Sequence, residues 1–372
     1  MSGWMVLLLL TLPMPWIAKS IWPHKIQLLE VLSTLLITTI LVSAVYFAGI
    51  AGMTHDREIW NGKITSKDRR HGHYLRPYEC NCYESCSGTG KDRSCTRHCS
   101  TCYEDRYTVT WTAHSTIDPF TIEHFDRGSR SVYNEPDPHR YTIIQPGDPC
   151  SRAHSFTNYV KAVPESLFHA NPLIKEKFAG KIPAYPGSIY DYYKINRVLT
   201  VGVQVPELDK WNHELSMTLR DLGPRRQANA IIVFVNTDDP NYQYALESAW
   251  IGGKKNDIIV MIGTTSYPNI DWVAISSWTD KQLFKVQLRD ELFDLKQVDR
   301  TKVLATLEKH TNTTFVRKNM QDFEYLKDQI EPPLWVIILA LVLGVGASLG
   351  ASYYFYHNNP FEELYSNRRY RR

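Results

Sequence analysis

Six of the seven cysteines crowd together as Cys80, Cys82, Cys86, Cys95, Cys99 and Cys102, spaced C-x-C-x3-C-x8-C-x3-C-x2-C. Residues 87–94 between the two halves read SGTGKDRS, a polar loop with two glycines. A stretch this polar cannot bury a core, so covalent or coordinative links must hold it. In an extracytoplasmic compartment the natural links are three disulfides, whose pairing the spacing leaves open. Zinc is the alternative, because Cys99 and Cys102 form a C-x2-C pair with His71, His73 and His98 nearby. The remaining cysteines do not repeat that pair, and no C-x-x-C opens a helix after a strand as redox chemistry requires. Cys150 is left over, either free or paired between molecules.

A second candidate is Asp238-Asp239, which follows the apolar run Ala230 to Asn236 (AIIVFVN). With Asn236, Thr237 and Thr264-Thr265-Ser266 these acids offer the oxygen ligands that Ca²⁺ or Mg²⁺ prefers. Ligands of open α/β sheets bind beyond the carboxyl ends of the strands, which is where these residues fall. The structural alternative is that either aspartate caps the helix that Pro240 begins. Asp257 and Asp271 are further acids that suit either a ligand or a turn, and His114, His124 and His139 are scattered histidines. Other chemistry finds no support: there is no P-loop, G-x-S-x-G elbow, H-E-x-x-H or strand-borne G-x-G-x-x-G. The formal net charge of +3 gives no broad basic surface for nucleic acid. Asn312-Thr313-Thr314 is a glycosylation sequon, meaningful only in a host that glycosylates.

The elements that would position these residues divide sharply. Leu28 to Met53 carries one charge, Glu30 at its margin, and Leu334 to Tyr356 carries none. Each exceeds the roughly 20 apolar residues needed to span a bilayer. Trp22, Trp335, Tyr353, Tyr354 and Tyr356 sit where amphipathic rings favour the interface. Buried core helices are the alternative, but these rarely run so long without polar residues. Without interior ionisable groups the spans do not read as a transporter pathway. Small residues four apart, Ala44, Ala48 and Gly52 in one and Gly346 and Gly350 in the other, allow close helix packing, although such residues are common in spans anyway. Lys19 and Lys25 before the first span, and Arg368, Arg369, Arg371 and Arg372 after the second, place both termini in the cytoplasm and the central region outside. Trp4 to Ile17, broken by Pro13 and Pro15, reads as interfacial or re-entrant. If it crossed, only the N-terminus would change sides.

Between the spans, residues 57–150 form a cysteine-rich β module stapled at its base, in which Tyr107, Val109, Trp111 and Ala113 share one face. Thr121 to Phe125 and Arg140 to Gln145 (RYTIIQ) read as further strands. Residues 151–197 read as a linker. From Val198 to Glu331 the pattern is α/β: strands at Leu199–Val205, Ala230–Asn236, Ile258–Ile262 and Asp271–Trp278, with amphipathic helices between. One helix carries Leu208, Trp211, Leu215, Leu219 and Leu222, with Gly223 and Pro224 ending it. The expected fold is an α/β sandwich beside a small cysteine-rich β module, flanked by the two spans. A basic tail from residue 357 closes the chain.

Ala230 to Leu295 resembles the TPM-domain family of thylakoid acid phosphatase and photosystem II repair proteins. The likeness rests on the apolar strand, the helix ending in Trp250-Ile-Gly-Gly-Lys-Lys-Asn-Asp257, the next apolar strand and its antiparallel partner. The chain departs from the family where Ile258 directly follows the turn and Thr264-Thr265-Ser266-Tyr267 replaces a charged pair. The resemblance implies a membrane-anchored extracytoplasmic domain and, as one reading, a divalent-metal-dependent phosphatase using Asp238 and Asp239. The wider arrangement is similar to uncharacterised two-span membrane proteins of tailed bacteriophages. The expectation favoured here is a non-enzymatic envelope protein that binds or modulates another membrane or envelope protein, or a further copy of itself. Its partners would then be the bilayer and that protein, with no nucleic acid.

Overall fold

The computed structural model describes residues 3–88, 94–163, 172–189 and 195–361. The arginine cluster from 368 to 372 and the centre of the 87–94 loop lie outside them. The chain divides into two compact units, one of Met1–Arg57, Ser155–Asn171 and Asn319–Arg372, the other of Glu58–His154 and Pro172–Lys318.

The first unit is built from α1 (Gly3–Thr11), α2 (Met14–Ile21), α3 (Leu28–Thr54) and, after the second unit, the long C-terminal helix α11 (Leu334–Asn358). Three helical runs, Gly3–Ile21, Leu28–Thr54 and Leu334–Asn358, are long and apolar enough to cross a membrane, where the sequence predicts two. The difference lies at Pro13. It starts α2 without breaking the run: the Leu12 and Ile17 amides still donate to the Leu8 and Pro13 carbonyls at 2.9 and 3.1 Å. Proline in a first turn loses little, because its missing N–H has no intrahelical partner there.

Helix contacts also differ from expectation. Ala44, Ala48, Gly52, Gly346 and Gly350 all face outward. A Cβ at Gly52, Gly346 or Gly350 would meet nothing within 4 Å. The close approaches are at Gly49, where a Cβ would stand 2.7 Å from Val336, and Gly344, where it would stand 2.6 Å from Val42. The buried stripe of α3 runs Val31, Thr34, Thr38, Val42, Tyr46. Ala44 and Gly346 each lie two residues from a packed position, about 200° round a helix of 3.6 residues per turn. Small residues at the right spacing therefore do not pack α3 against α11 within the chain. Trp22 and Tyr356 rings meet 5.3 Å apart at one end of this bundle. At the other, a Cβ at Gly3 would meet Tyr46 and Glu331.

In the second unit, four strands make a sheet ordered β3-β2-β1-β4: β1 (His55–Ser87), β2 (Ser94–Ser115), β3 (Phe120–Arg127) and β4 (Pro149–Thr157). Val109, Trp111 and Ala113 are buried as their alternation predicts. RYTIIQ, by contrast, is not a strand, because His139–Ile143 forms the short helix α4. Lys67 Nζ donates to the Tyr141 and Ile144 carbonyls at 2.7 and 2.8 Å, holding the turn closed, as cations do at helix C-termini. The sheet position is taken instead by β4, which runs from the end of the expected module into the expected linker, with Cys150 packed against Ile64, Ala113 and Ile144.

A second sheet, ordered β5-β6-β7-β8, consists of β5 (Val198–Val201), β6 (Asn229–Val235), β7 (Asp257–Gly263) and β8 (Trp272–Ser276). The first three are parallel and β8 is antiparallel. Ile232, Phe234, Ile258, Val260 and Ile262 point to one face, against α7 (Leu208–Arg226), α9 (Gln282–Asp294) and α10 (Arg300–Thr313). Ile231, Val233, Val235, Ile259 and Met261 point to the other, against α6 (Pro172–Phe178) and α8 (Tyr242–Trp250). Burial on both faces is why these strands read as unbroken apolar runs. The chain is thus mixed α/β with two sheets, as expected at that level. Helix α7 does not stop at Gly223 but runs through Pro224 to a left-handed Gln227. Gly223 serves packing instead, since a Cβ there would lie 2.0 Å from the Asn61 carbonyl oxygen.

Candidate functional site

Three places in the second unit could carry function: the two ends of the parallel strands and the far end of the β1–β2 hairpin. At the amino ends of β6 and β7 lies a buried polar network. Arg197, 1 % exposed, donates to Asn229 Oδ1 at 2.9 Å, Asn61 Oδ1 at 2.5 Å and Ser151 Oγ at 2.8 Å. Asn229 Nδ2 donates in turn to Asp257 Oδ1 at 2.9 Å, and Tyr185 Oη and the Lys254 amide both donate to Asp257 Oδ2. Burial pushes the Asp257 carboxyl up to about 6 and pulls the Arg197 guanidinium down to about 10. The network ties β1 and β4 to the α/β sheet, and its hydrogen bonds join chain segments, which is a structural task. Asp257 is therefore no surface ligand. Single polar residues at the tips of apolar strands were its only trace in the sequence.

The carboxyl ends hold the acids that the sequence singles out. Asp238 is exposed. Asp239 Oδ1 accepts from the Asn241 amide and Asn241 Nδ2, and Asp239 Oδ2 pairs with Lys177 Nζ at 2.5 Å. The lysine contact holds its carboxyl below the usual carboxylate range. Asp271 Oδ2 accepts from the Thr265 amide and hydroxyl, which makes it a turn residue. Asp239 thus shapes the turn before α8, but it is not the cap of a helix begun at Pro240, because α8 starts at Tyr242 with Asn241 at its N-cap. Of the predicted oxygens at this end, those of Thr237, Asp239 and Thr265 are engaged in turn hydrogen bonds, whereas the buried Thr264 hydroxyl has no partner among the described residues and Asp238 is exposed.

The cysteines come together as three close pairs that fit disulfides: Cys80–Cys102, Cys82–Cys99 and Cys86–Cys95, with Cα atoms 5.7, 4.1 and 4.0 Å apart. Each joins β1 to β2, nested around the 87–94 loop. They staple the tip of the module and not its base. β3 pairs with β2 only from Tyr107 to Ala113, so beyond the His73–Tyr107 pair the hairpin is a two-stranded ribbon. From Tyr74 to Ser87 that ribbon extends about 40 Å at roughly 3.3 Å per residue. The near-mirror spacing of the cysteines about the loop was the signal that could have given this pairing. The histidines do not converge on them. His73 pairs with Asp105 at 2.7 Å, His114 with Asp68 at 3.0 Å, and His124 with Thr110 at 2.7 Å. His71 meets Tyr133 edge-on and His98 stacks on Tyr83. Among the described residues, Glu79, Cys82 and Cys99 form the one acid, histidine and cysteine cluster tight enough for a metal, and its two sulfurs belong to one pair.

No family model, curated protein or solved structure matches the chain. Function must be read from the molecule itself.

What the arm displays is its most informative property. Charges near its foot are paired: Arg76 faces Glu104 at 3.7 Å, and Arg106 binds Asp126 at 2.8 Å. Its aromatic and apolar side chains are not covered. Tyr83, Tyr103 and Leu75 are 65, 63 and 55 % exposed, and Tyr78 is 47 % exposed. A two-stranded ribbon has no core and is marginal in water unaided. Cross-links that hold it rigid leave its tyrosines presented at little further entropic cost.

Proposed function

We propose that the chain is a membrane-anchored envelope protein whose β arm, on the extracytoplasmic side, binds another membrane or envelope protein or a second copy of the chain. The observation that carries this reading is the arm: a long ribbon, cross-linked three times, with uncovered tyrosines along it. Paired cysteines belong to oxidising compartments, which supports an extracytoplasmic location. The helical unit supports the anchor. Leu9, Leu36, Ile40, Val342 and Leu349 are each 59 to 62 % exposed, an apolar surface suited to lipid.

On this reading all three apolar runs cross. Lys19 and Lys25 then lie at the cytoplasmic end with the end of α11, and the N-terminus joins the extracytoplasmic side. The order of β6, α8, β7, β8 and α9 supports the resemblance of Ala230–Leu295 to TPM domains as the platform for the arm.

Photo-crosslinkers placed at Tyr83 and Tyr103 in the full chain, in its native membrane, test the assignment. A discrete protein adduct from both positions, absent with the crosslinker at the exposed Arg289 on α9, is the expected result. Equal, diffuse labelling from all three positions overturns it.

A further inference from the structure

Between α2 and α11 runs a cleft of about 480 Å³, lined by Met14, Ile17, Ala18, Ile21 and Trp22 on one side and by Leu349, Ser352, Tyr353 and Tyr356 on the other. The lining is apolar apart from one hydroxyl and the polar edges of its rings. The aromatic residues gather toward the end where the Trp22 and Tyr356 rings meet. Just beyond them, the Asn359 amide oxygen, oriented to satisfy its neighbours, accepts from Lys25 Nζ at 2.9 Å.

Among the described residues, the charge at that end has one sign. Residues 14–29 and 345–361 contain Lys19, Lys25, His24 and His357 and no acid. Glu30 is 2 % exposed, with its carboxylate accepting from the Gln27 amide in the cap of α3. Among the described residues, the charges open to a ligand at this end are therefore basic. Lys19 Nζ lies over the Trp16 ring, on the same helix as the cleft's Ile17 and Ala18. An apolar cleft between membrane helices, with rings at one end and Lys25 just beyond them, is complementary to an amphiphile with an anionic head.

We propose that this cleft binds one anionic phospholipid, its acyl chain against Ile17, Ala18, Leu349 and Ser352 and its phosphate at Lys25 and Lys19. The inference rests on the reading that the helical unit lies in a bilayer. The lipid fills a surface that helix packing leaves concave, and it clips the kinked α1–α2 run to α11 on the side away from Gly344.

The test uses the full chain reconstituted with equal phosphatidylglycerol and phosphatidylcholine, extracted in mild detergent and weighed by native mass spectrometry. One retained phosphatidylglycerol is expected, preferred about tenfold over phosphatidylcholine. The double variant Lys19→Gln/Lys25→Gln should lose the preference while keeping a lipid. Leu349→Trp, a change at an exposed position that fills the cleft, should lose the lipid altogether. Equal retention of the two lipids by the unaltered chain, or a preference unmoved by the double variant, overturns the proposal. Alkaline carbonate extraction of the same vesicles separates the two claims. A chain released from the membrane defeats the anchor itself, whereas one that stays without a preferred lipid defeats only the cleft.

Discussion

In the α/β sheet every residue from Asn229 to Val235 and from Asp257 to Gly263 is buried, and the polar ones at the strand tips are hydrogen-bonded to other segments. In the arm, a few strands away in the same unit, nearly every residue from Tyr74 to Ser87 is exposed, and cysteine pairs do the holding. The sheet derives its stability from apolar area removed from water, and its surface polarity is used up internally. The arm removes almost nothing from water, so its order must be imposed on the unfolded chain by cross-links. A region that needs covalent help to keep tyrosines in solvent is, on the proposed reading, arranged for contact. A region that hides its polar groups is arranged to persist.

The contrast can be broken most forcefully by replacing all six arm cysteines with serine. Each cross-link is worth about 2–4 kcal/mol. Hydrogen exchange should show the amides of the ribbon losing protection almost entirely while β6 and β7 stay protected. Loss of protection in both regions together would mean that the arm and the sheet fold as one. The reverse experiment is Arg197→Met, which strands Asn61, Ser151 and Asn229 acceptors in the interior. It should cost about 3–5 kcal/mol in urea unfolding of the sheet and leave the arm's cross-links intact.

A smaller and more diagnostic effect concerns pH. Burial holds the Asp257 carboxyl at about 6 in the folded chain, against an ordinary value near 3.8. Between those values the folded state carries a proton that the unfolded state has lost. Stability contributed by this group is therefore greatest below about pH 4 and falls as pH rises to about 6, by roughly 2–3 kcal/mol. Asp257→Asn should flatten that part of the stability profile relative to the unaltered chain, measured by urea midpoints across the range. Parallel profiles for the two proteins would show that burial does not hold the carboxyl neutral over this range.

The strands of the α/β sheet were legible because burial on both faces writes an unbroken apolar run, and the turns between them carry glycine, proline and aspartate. The three helical runs were nearly so, although the turn at Pro13 that separates α1 from α2 still leaves Gly3–Ile21 long and apolar enough to cross, which the prolines alone did not reveal. The arm was not legible as strands: with both faces in water, residues 70–87 need keep no alternation, and the cysteines alone marked the region. Ala44, Ala48, Gly52, Gly346 and Gly350 show a further limit. Spacing says that two positions share a face, and it does not say which face meets a neighbour. The Arg197 network left little trace because its members come from at least five distant stretches, around residues 61, 151, 185–197, 229 and 254–257, each contributing one or two polar residues that look ordinary locally.

The account turns on the arm cysteines being paired in a compartment outside the cytoplasm, and thiol counting on the full chain, extracted directly from its native membrane under alkylating conditions, tests this most directly. In the folded chain no cysteine should react readily, because Cys150 is 1 % exposed and burial pushes its thiol up to about 11. Denaturation without reductant should release Cys150 alone, and reduction should add the six arm cysteines. Full alkylation of the arm without reductant would contradict the account, removing the cross-links that hold the ribbon and the reason for placing it outside the cytoplasm.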